Sequence, residues 1–365
     1  MSREEHTVFD FARWPRLLPP PPRAGVLRQA IEDFQVEEIP AYLPCGEGEH
    51  LLFEIEKRDL TTDQVVRELA RRLRLSNGDI GTAGLKDRRA VARQWMSVPA
   101  RAEAELARLD LPGLRLLQRG RHRNKLRTGH LVGNRFRVRL AGVDPALDAE
   151  VDRRCQELRR RGAPNYFGPQ RFGRGGANRE QGLRILRGEA RCPDRRRLRF
   201  LLSAVQSDLF NDVLARRIQQ ELFERVLPGD VLARADSRGM FVCTEPAVDQ
   251  QRLERFEIHL TGPMFGPDMR APEGRPAELE GAVLAQANLT PGDFERFSKL
   301  TRGTRRPLRV QLEDLSWQRE GDGIRFAFSL PPGAYATVVL GEILEWVEAD
   351  GGRAEDSADQ DEAKR

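Results

Sequence analysis

Asn134-Arg135-Phe136-Arg137-Val138-Arg139-Leu140 alternates without a break. Phe136, Val138 and Leu140 fall on one side and Arg135, Arg137 and Arg139 on the other, the period of two of a half-buried strand. Such a strand needs partners. Upstream, Phe34/Val36 within Glu32–Glu38 and Phe53/Ile55 within Leu51–Glu56 alternate in the same way, and Gln94–Val98 is a further strand candidate. Downstream, Leu308/Val310/Leu312 and Ile324/Phe326/Phe328/Leu330 repeat the pattern. Thr61 and Gln64 have capping-box spacing ahead of Val65, Val66, Leu69, Ala70 and Leu73, which predicts a helix. Asn77-Gly78-Asp79 ends it, and a second helical segment is expected over 101–109. Residues 146–222 read mostly as helix, interrupted by a glycine-rich loop over 164–176, with Phe200–Ile218 long and amphipathic. Short strands and turns are expected over 227–267, a polar then helical stretch over 271–300, and a closing helix after Pro331-Pro332-Gly333. Sheet-forming ends therefore bracket a helical middle. The fold class expected is α+β, with a middle domain inserted into a sheet-based one.

A chain of 365 residues has room for that arrangement. Hydrophobic residues at 39% and charged ones at 32% fit a soluble, loop-rich protein rather than a disordered one. No run of about 18 apolar residues occurs, so no membrane span is expected. The charged N-terminus lacks the apolar segment of a secretory signal. Cys45, Cys155, Cys192 and Cys243 form no C-x-x-C pair, and the five histidines show no ligand spacing. Neither a metal site nor a disulfide framework is expected, and a reducing cytoplasm fits.

Charge is informative by position. Val347–Arg365 carries a net −4 and reads as a disordered acidic tail, which leaves +9 on the first 346 residues. Between Arg115 and Arg139 lie nine Lys/Arg and no acid, a field that attracts a polyanion such as nucleic acid. The bland alternative is a solvated basic face. Asp87 is the most unusual acid, set in the small-residue loop Ala83-Gly84-Leu85-Lys86-Asp87-Arg88-Arg89. Cations around a carboxylate favour its charged form, and an ionised Asp can serve as nucleophile or base. The alternative is a turn Asp in surface ion pairs. Asn165–Arg174 offers backbone donors and Arg to a phosphate but lacks P-loop and dinucleotide signatures, so a structural role is expected. Tyr335 reads as core. Phe136 reads as core by default, or as a residue that stacks on a base.

Several of these segments stand in the order of a known family. They are Glu32–Glu38, Gly46-Glu47-Gly48-Glu49-His50, Ala83–Trp95, His122–Arg127, Gly133–Phe136, Pro164–Gly173, Ser203–Asn211 and Leu330–Thr337. The chain resembles the TruD-type tRNA pseudouridine synthases over residues 25–345. The resemblance implies a V-shaped, two-domain protein: a pseudouridine synthase catalytic fold and a family-specific α/β insertion domain. On this reading residues 1–23 are an irregular lead-in, 24–160 and 307–346 the catalytic domain, 161–306 the insertion, and 347–365 the tail. The implied reaction isomerises uridine to pseudouridine in tRNA, at position 13, without cofactor or metal; no obligate protein partner is evident from the sequence.

The resemblance places Asp87 at the catalytic aspartate and Asn134 and Phe136 at the active-site Asn-x-Phe, with Phe136 stacking on the target base. Arg28 stands where many members have lysine, and Ala92 where threonine is usual. The nucleotide must be flipped into a pocket, at a cost of a few kcal/mol. Asp87 then either attacks C1′ or removes the C2′ proton. Lys86, Arg121, Arg123, Lys125 and Arg127 are expected to hold RNA, and Arg135, Arg137 and Arg139 to hold phosphates. The rivals are a non-catalytic tRNA-binding protein or RNA chaperone, and the same chemistry on another RNA uridine.

Overall fold

The structure, a computed structural model, describes residues 13–349 apart from 238. The chain first lays down β1 (Arg23–Leu27), β2 (Phe34–Pro40), β3 (His50–Arg58), α1 (Thr62–Leu73), β4 (Gly81–Thr82), β5 (Val91–Pro99), α2 (Glu103–Ala107), β6 (Leu114–His122), β7 (Leu131–Ala141) and α3 (Asp148–Arg161). The middle holds β8 (Ala163–Pro164), α4 (Ala177–Leu186), α5 (Arg195–Gln219), β9 (Val231–Arg234), β10 (Met240–Val242), α6 (Pro246–Glu254), β11 (Ile258–Met264), α7 (Gly274–Gln286), α8 (Pro291–Glu295) and β12 (Thr304–Pro307). The end holds β13 (Arg309–Val310), β14 (Ser316–Glu320), β15 (Gly323–Leu330), α9 (Ala336–Ile343) and β16 (Glu345–Glu348).

Among the described residues ten strands form one mixed sheet, in the order β14-β15-β7-β2-β5-β3-β6, with β1 joining β7 to β16 and β4 beside β5. The pairs β2/β5 and β1/β16 are parallel and the rest antiparallel. The alternating stretch quoted first lies in β7, clasped by β2 and β15. Phe136, Val138 and Leu140 are buried in one core cluster with Phe34, Val36, Phe326 and Phe328 and residues of α3 and α9. α1 and α2 cover the other half, over Leu51, Phe53, Ile55, Met96 and Val98. α1 starts as its spacing dictates: Thr61 accepts from the Gln64 amide, and Gln64 accepts from the Thr61 amide. A second sheet, β10-β9-β11-β12, is built from residues 231–307.

Three expectations change. α5 is not amphipathic: Ala204–Asn211 is buried without a break, because α4, α7 and β11 pack around it. The stretch read as strands and turns over 227–267 contains α6. The acidic tail begins later than 347, since Val347 and Glu348 pair with Val26 and Leu27, and the Ala349 amide donates to the Leu27 carbonyl. The closing element is thus a strand after α9. The rest of the tail, 350–365, and residues 1–12 of the lead-in lie outside the described residues.

The described part of the lead-in is irregular but firmly tied. Trp14 Nε1 donates to Asp212, and the amides of Leu17 and Leu18 donate to the Glu342 carboxylate at 3.0–3.1 Å. Glu342 is fully buried on α9, and burial pushes its carboxyl up to about 7 from 4.5. A raised folded pKa means that the native state holds a proton that the unfolded chain has released between those values. Stability is therefore greatest below pH 4.5 from this group and falls as pH rises to 7, by about 3 kcal/mol. Urea titrations from pH 4.5 to 7.5 should show that slope, and Glu342→Gln should flatten it.

Candidate active site

Register places the site. Lys57 of β3 pairs with Ala92 of β5, Ala92 with Val36 of β2, Val36 with Phe136 of β7, and Phe136 with Phe328 of β15. Paired residues share a face, so these five form one row across the sheet, on the face that carries the helices. One step on, Asn134 pairs with both Glu38 and Leu330. The gap between the two helix groups is where the 83–89 loop lies.

That loop is fixed by side chains of this face. Gln94 donates to the Gly84 carbonyl at 2.6 Å, and Thr62 Oγ1 accepts from the Lys86 amide at 3.1 Å. Lys57 Nζ donates to the carbonyls of Asp87 (2.7 Å) and Lys86 (3.4 Å). The Lys86 ammonium turns inward onto Glu38, 2.6 Å away, with both side chains buried. Burial pushes the Glu38 carboxyl up, and Lys86 opposes that shift. Lys86, expected as an outer RNA contact, is thus a support of the loop: its charge is already matched by a buried acid.

The Asp87 side chain is 43% exposed and meets Arg28 Nη2 at 3.2 Å. Its sequence neighbours turn elsewhere: Arg88 lies against Asp59, and Arg89 donates to the Arg28 carbonyl. The cation on this carboxylate comes instead from the end of β1, which sequence proximity hid. Arg28 is buried, bridges Asp87 and Glu348, and lies 4.4 Å over the Phe34 ring. Phe34 stands edge-on to Phe136, centroids 6.0 Å apart, and Phe328 packs on the other side at 5.7 Å. The Asp87–Arg28–Phe34–Phe136 chain joins three of the residues singled out from sequence. Phe136 is only 7% exposed, so it lies at the floor of the gap. Asn134 is partly buried, and among the described residues its Oδ1 has no hydrogen-bond partner.

Other residues lie here to which the sequence reading gave no role at the site. The Tyr335 phenol, read as core, is pushed up by burial; Arg171 and Arg306 oppose that shift, and the charge of Asp87 adds to it. Arg306 sits 4.1 Å over the Phe167 ring and donates to Asn165 and to the Gly333 carbonyl. Gly168 is required where it stands, because a Cβ there would lie 2.7 Å from Tyr335 Cδ1. Lys57 had no motif of its own, and Glu38 entered only as the end of the Glu32–Glu38 segment; the signal was their position on alternating strands, on the faces of Phe53/Ile55 and Phe34/Val36.

Arg135, Arg137 and Arg139 lie on the opposite face, as the alternation with Phe136 demands. There Arg135 meets Glu37, and Arg139 meets Asp33 and Asp322. Arg137 lines a groove of about 590 Å³ with Gln35, Trp317 and Arg325. Phosphates held there would not share a face with Asp87, which corrects the role expected of this row. Arg121 lies on the edge strand β6, and Arg123, Lys125 and Arg127 in the loop that follows. Arg121 pairs with Glu103, Arg123 with Glu47, and Lys125 donates to the Gly78 carbonyl. Arg127 is exposed, and among the described residues no carboxylate pairs with it. Arg127→Ala should therefore weaken RNA binding more than Arg121→Ala or Arg123→Ala, and should lower the slope of log K against log salt by roughly 0.7–0.9. Filter binding at several salt concentrations checks this; an unchanged slope for Arg127→Ala contradicts it.

The sequence profile of the family described as tRNA pseudouridine synthase D (TruD) matches residues 19–192 and 194–343. The chain belongs to the tRNA pseudouridine synthase D family. The relative from Anaeromyxobacter dehalogenans (strain 2CP-C), named tRNA pseudouridine synthase D, is 46% identical over 332 residues, covering 89% of this chain and 94% of its own. One from Thermus thermophilus, of the same name, is 41% identical over 341 residues, covering 93% and 94%. A crystal structure from Methanosarcina mazei with that family name has a TM-score of 0.74 at 24% identity, covering 94% of this chain and 98% of its own. At that identity it speaks for the fold: an α+β pseudouridine synthase fold with a mixed sheet. The family is one of isomerases, and this chain is an enzyme of that class. Among the described residues no helix is long and apolar enough to cross a membrane.

Proposed function

We propose that this chain isomerises uridine to pseudouridine at position 13 of cytoplasmic tRNA, with Asp87 as the group that acts on the sugar. The pseudouridine synthase activity follows from family membership; the position and the roles of single residues are this proposal. The observation that carries it is the placement of Asp87: half-exposed on a loop held by Gln94, Thr62 and Lys57, on the face where Asn134 has an unpartnered buried acceptor.

A folded tRNA stacks its bases, so the target nucleotide must leave the stack to reach this gap. Asn134 Oδ1 can accept the N3–H of a uracil, which would satisfy the buried oxygen. Phe136 would form the apolar floor. Asp87 acts at the ribose, the N1–C1′ bond breaks, and the free uracil carries negative charge. Arg28 places a guanidinium beside that charge. The uracil turns, C5 bonds to C1′, the C5 proton leaves and N1 takes up a proton, so the sum is an isomerisation. Arg121, Arg123, Lys125 and Arg127 bind the RNA outside the gap, and the insertion over 161–306 brings Phe167, Gly168, Arg171 and Arg306 to Tyr335.

The test is site mapping. A tRNA transcript treated with the enzyme and then with a pseudouridine-specific reagent should show a single primer-extension stop at position 13, absent when that nucleotide is cytidine. A stop elsewhere overturns the position. Tight binding with no stop on any RNA supports the non-catalytic alternative.

A further inference from the structure

Two lysines lie under the Asp87 loop and are satisfied differently. Lys86 has a carboxylate, Glu38. Lys57 is fully buried, and among the described residues its ammonium donates only to main-chain carbonyls: Leu60 at 2.5 Å, Asp87 at 2.7 Å and Lys86 at 3.4 Å. A buried ammonium with no acid bonded to it is costly; a Met would remove that charge at the expense of the hydrogen bonds to these carbonyls. The carbonyls of Lys86 and Asp87 belong to the two peptide units that flank the Asp87 Cα. Planar peptide units leave two torsions per residue, so holding both units sets φ and ψ at Asp87 and with them the direction of its Cα–Cβ bond.

We propose that Lys57 is a positioning residue for Asp87: its ammonium, by gripping the main chain on both sides of that residue, fixes where the carboxylate points. The proposal rests on the reading of Asp87 given above. Lys86, whose amide is bonded by Thr62 Oγ1, and Gly84, whose carbonyl is bonded by Gln94, complete the hold on the loop. The charged groups that face Lys57 are Asp87 and Lys86 of the loop and Asp59 after β3. Burial pushes the Lys57 ammonium down to about 8; Asp87 and Asp59 raise it and Lys86 lowers it further. Above that pH the side chain loses one N–H donor and its charge, so the grip weakens and turnover acquires an alkaline limit.

The experiment measures kcat and KM for tRNA from pH 6 to 10 at constant ionic strength, with wild type, Lys57→Met and Asp87→Asn, alongside melting temperature and tRNA Kd. A misplaced reacting group costs about 10²-fold in rate, so Lys57→Met should lose about that factor in kcat. KM and Kd should stay within about twofold, the melting temperature should change little because the lost hydrogen bonds and the removed buried charge offset, and the limb expected near pH 8 in wild type should vanish. A Lys57→Met enzyme with wild-type kcat, or one that keeps the alkaline limb, overturns the proposal. So does a variant whose kcat, tRNA affinity and melting temperature fall together, the mark of a merely structural residue. If Asp87→Asn is fully active, the reading of the site fails; if Asp87→Asn is dead and Lys57→Met normal, only this inference does.

Discussion

Asp87→Asn should reduce pseudouridine formation by about 10³-fold or more while leaving tRNA affinity within about twofold. The amide keeps the size of the carboxylate and one acceptor oxygen, but it cannot act as a base or nucleophile at the sugar. The loop should not move, because its anchors hold main-chain atoms of Gly84, Lys86 and Asp87 rather than the carboxylate. The change does remove the ion pair with Arg28, but Arg28 keeps Glu348 at 2.6 Å and its place over Phe34. Binding is expected to persist because the exposed bases around Arg127 are untouched. The check is product per tRNA by adduct-blocked primer extension, with filter binding in parallel. Loss of binding together with loss of product would mean that Asp87 supports the fold rather than the chemistry.

Glu38→Ala should destabilise the protein by about 3–5 kcal/mol, since it leaves the Lys86 ammonium buried and unpaired. Glu38 also accepts from the Trp95 amide at 3.3 Å, so the change disturbs β5 beneath the loop. The decisive comparison is with Glu38→Ala combined with Lys86→Met. With the stranded charge gone, the double variant should recover part of the loss, and the two changes should be strongly non-additive. Urea unfolding of the two single variants and the double variant measures the coupling. Additive effects would show that the pair contributes little beyond its separate packing.

The fold was legible where one face of a strand is buried. Alternation in 134–140 and 324–330 and the Thr61/Gln64 cap located β7, β15 and α1, because each pattern has one physical solution. α5 was misjudged in character because a helix buried on all sides loses the polar stripe that marks an amphipathic one. At the candidate site, Asp87 and Phe136 were singled out from charge and alternation as well as from a family resemblance, and Asn134 from the resemblance alone. The same alternation that located β7 also required Arg135, Arg137 and Arg139 to lie away from Phe136. The partners were not legible. Arg28 reaches Asp87 across 59 positions, and Lys57 reaches it across 30. Such pairings follow from sheet order, with β2 between β7 and β5, which no local pattern encodes.

The chemistry is assigned to the helix-covered face of the sheet, at Asp87, and not to the arginine row behind it. Single-turnover release of tritium from tRNA carrying [5-³H]uridine reads the step directly, because C5 must lose its hydrogen as it bonds to C1′. With enzyme in excess, Arg137→Ala should release tritium at the wild-type rate and Asp87→Asn should release none above background. Release by Asp87→Asn at the wild-type rate would contradict the assignment.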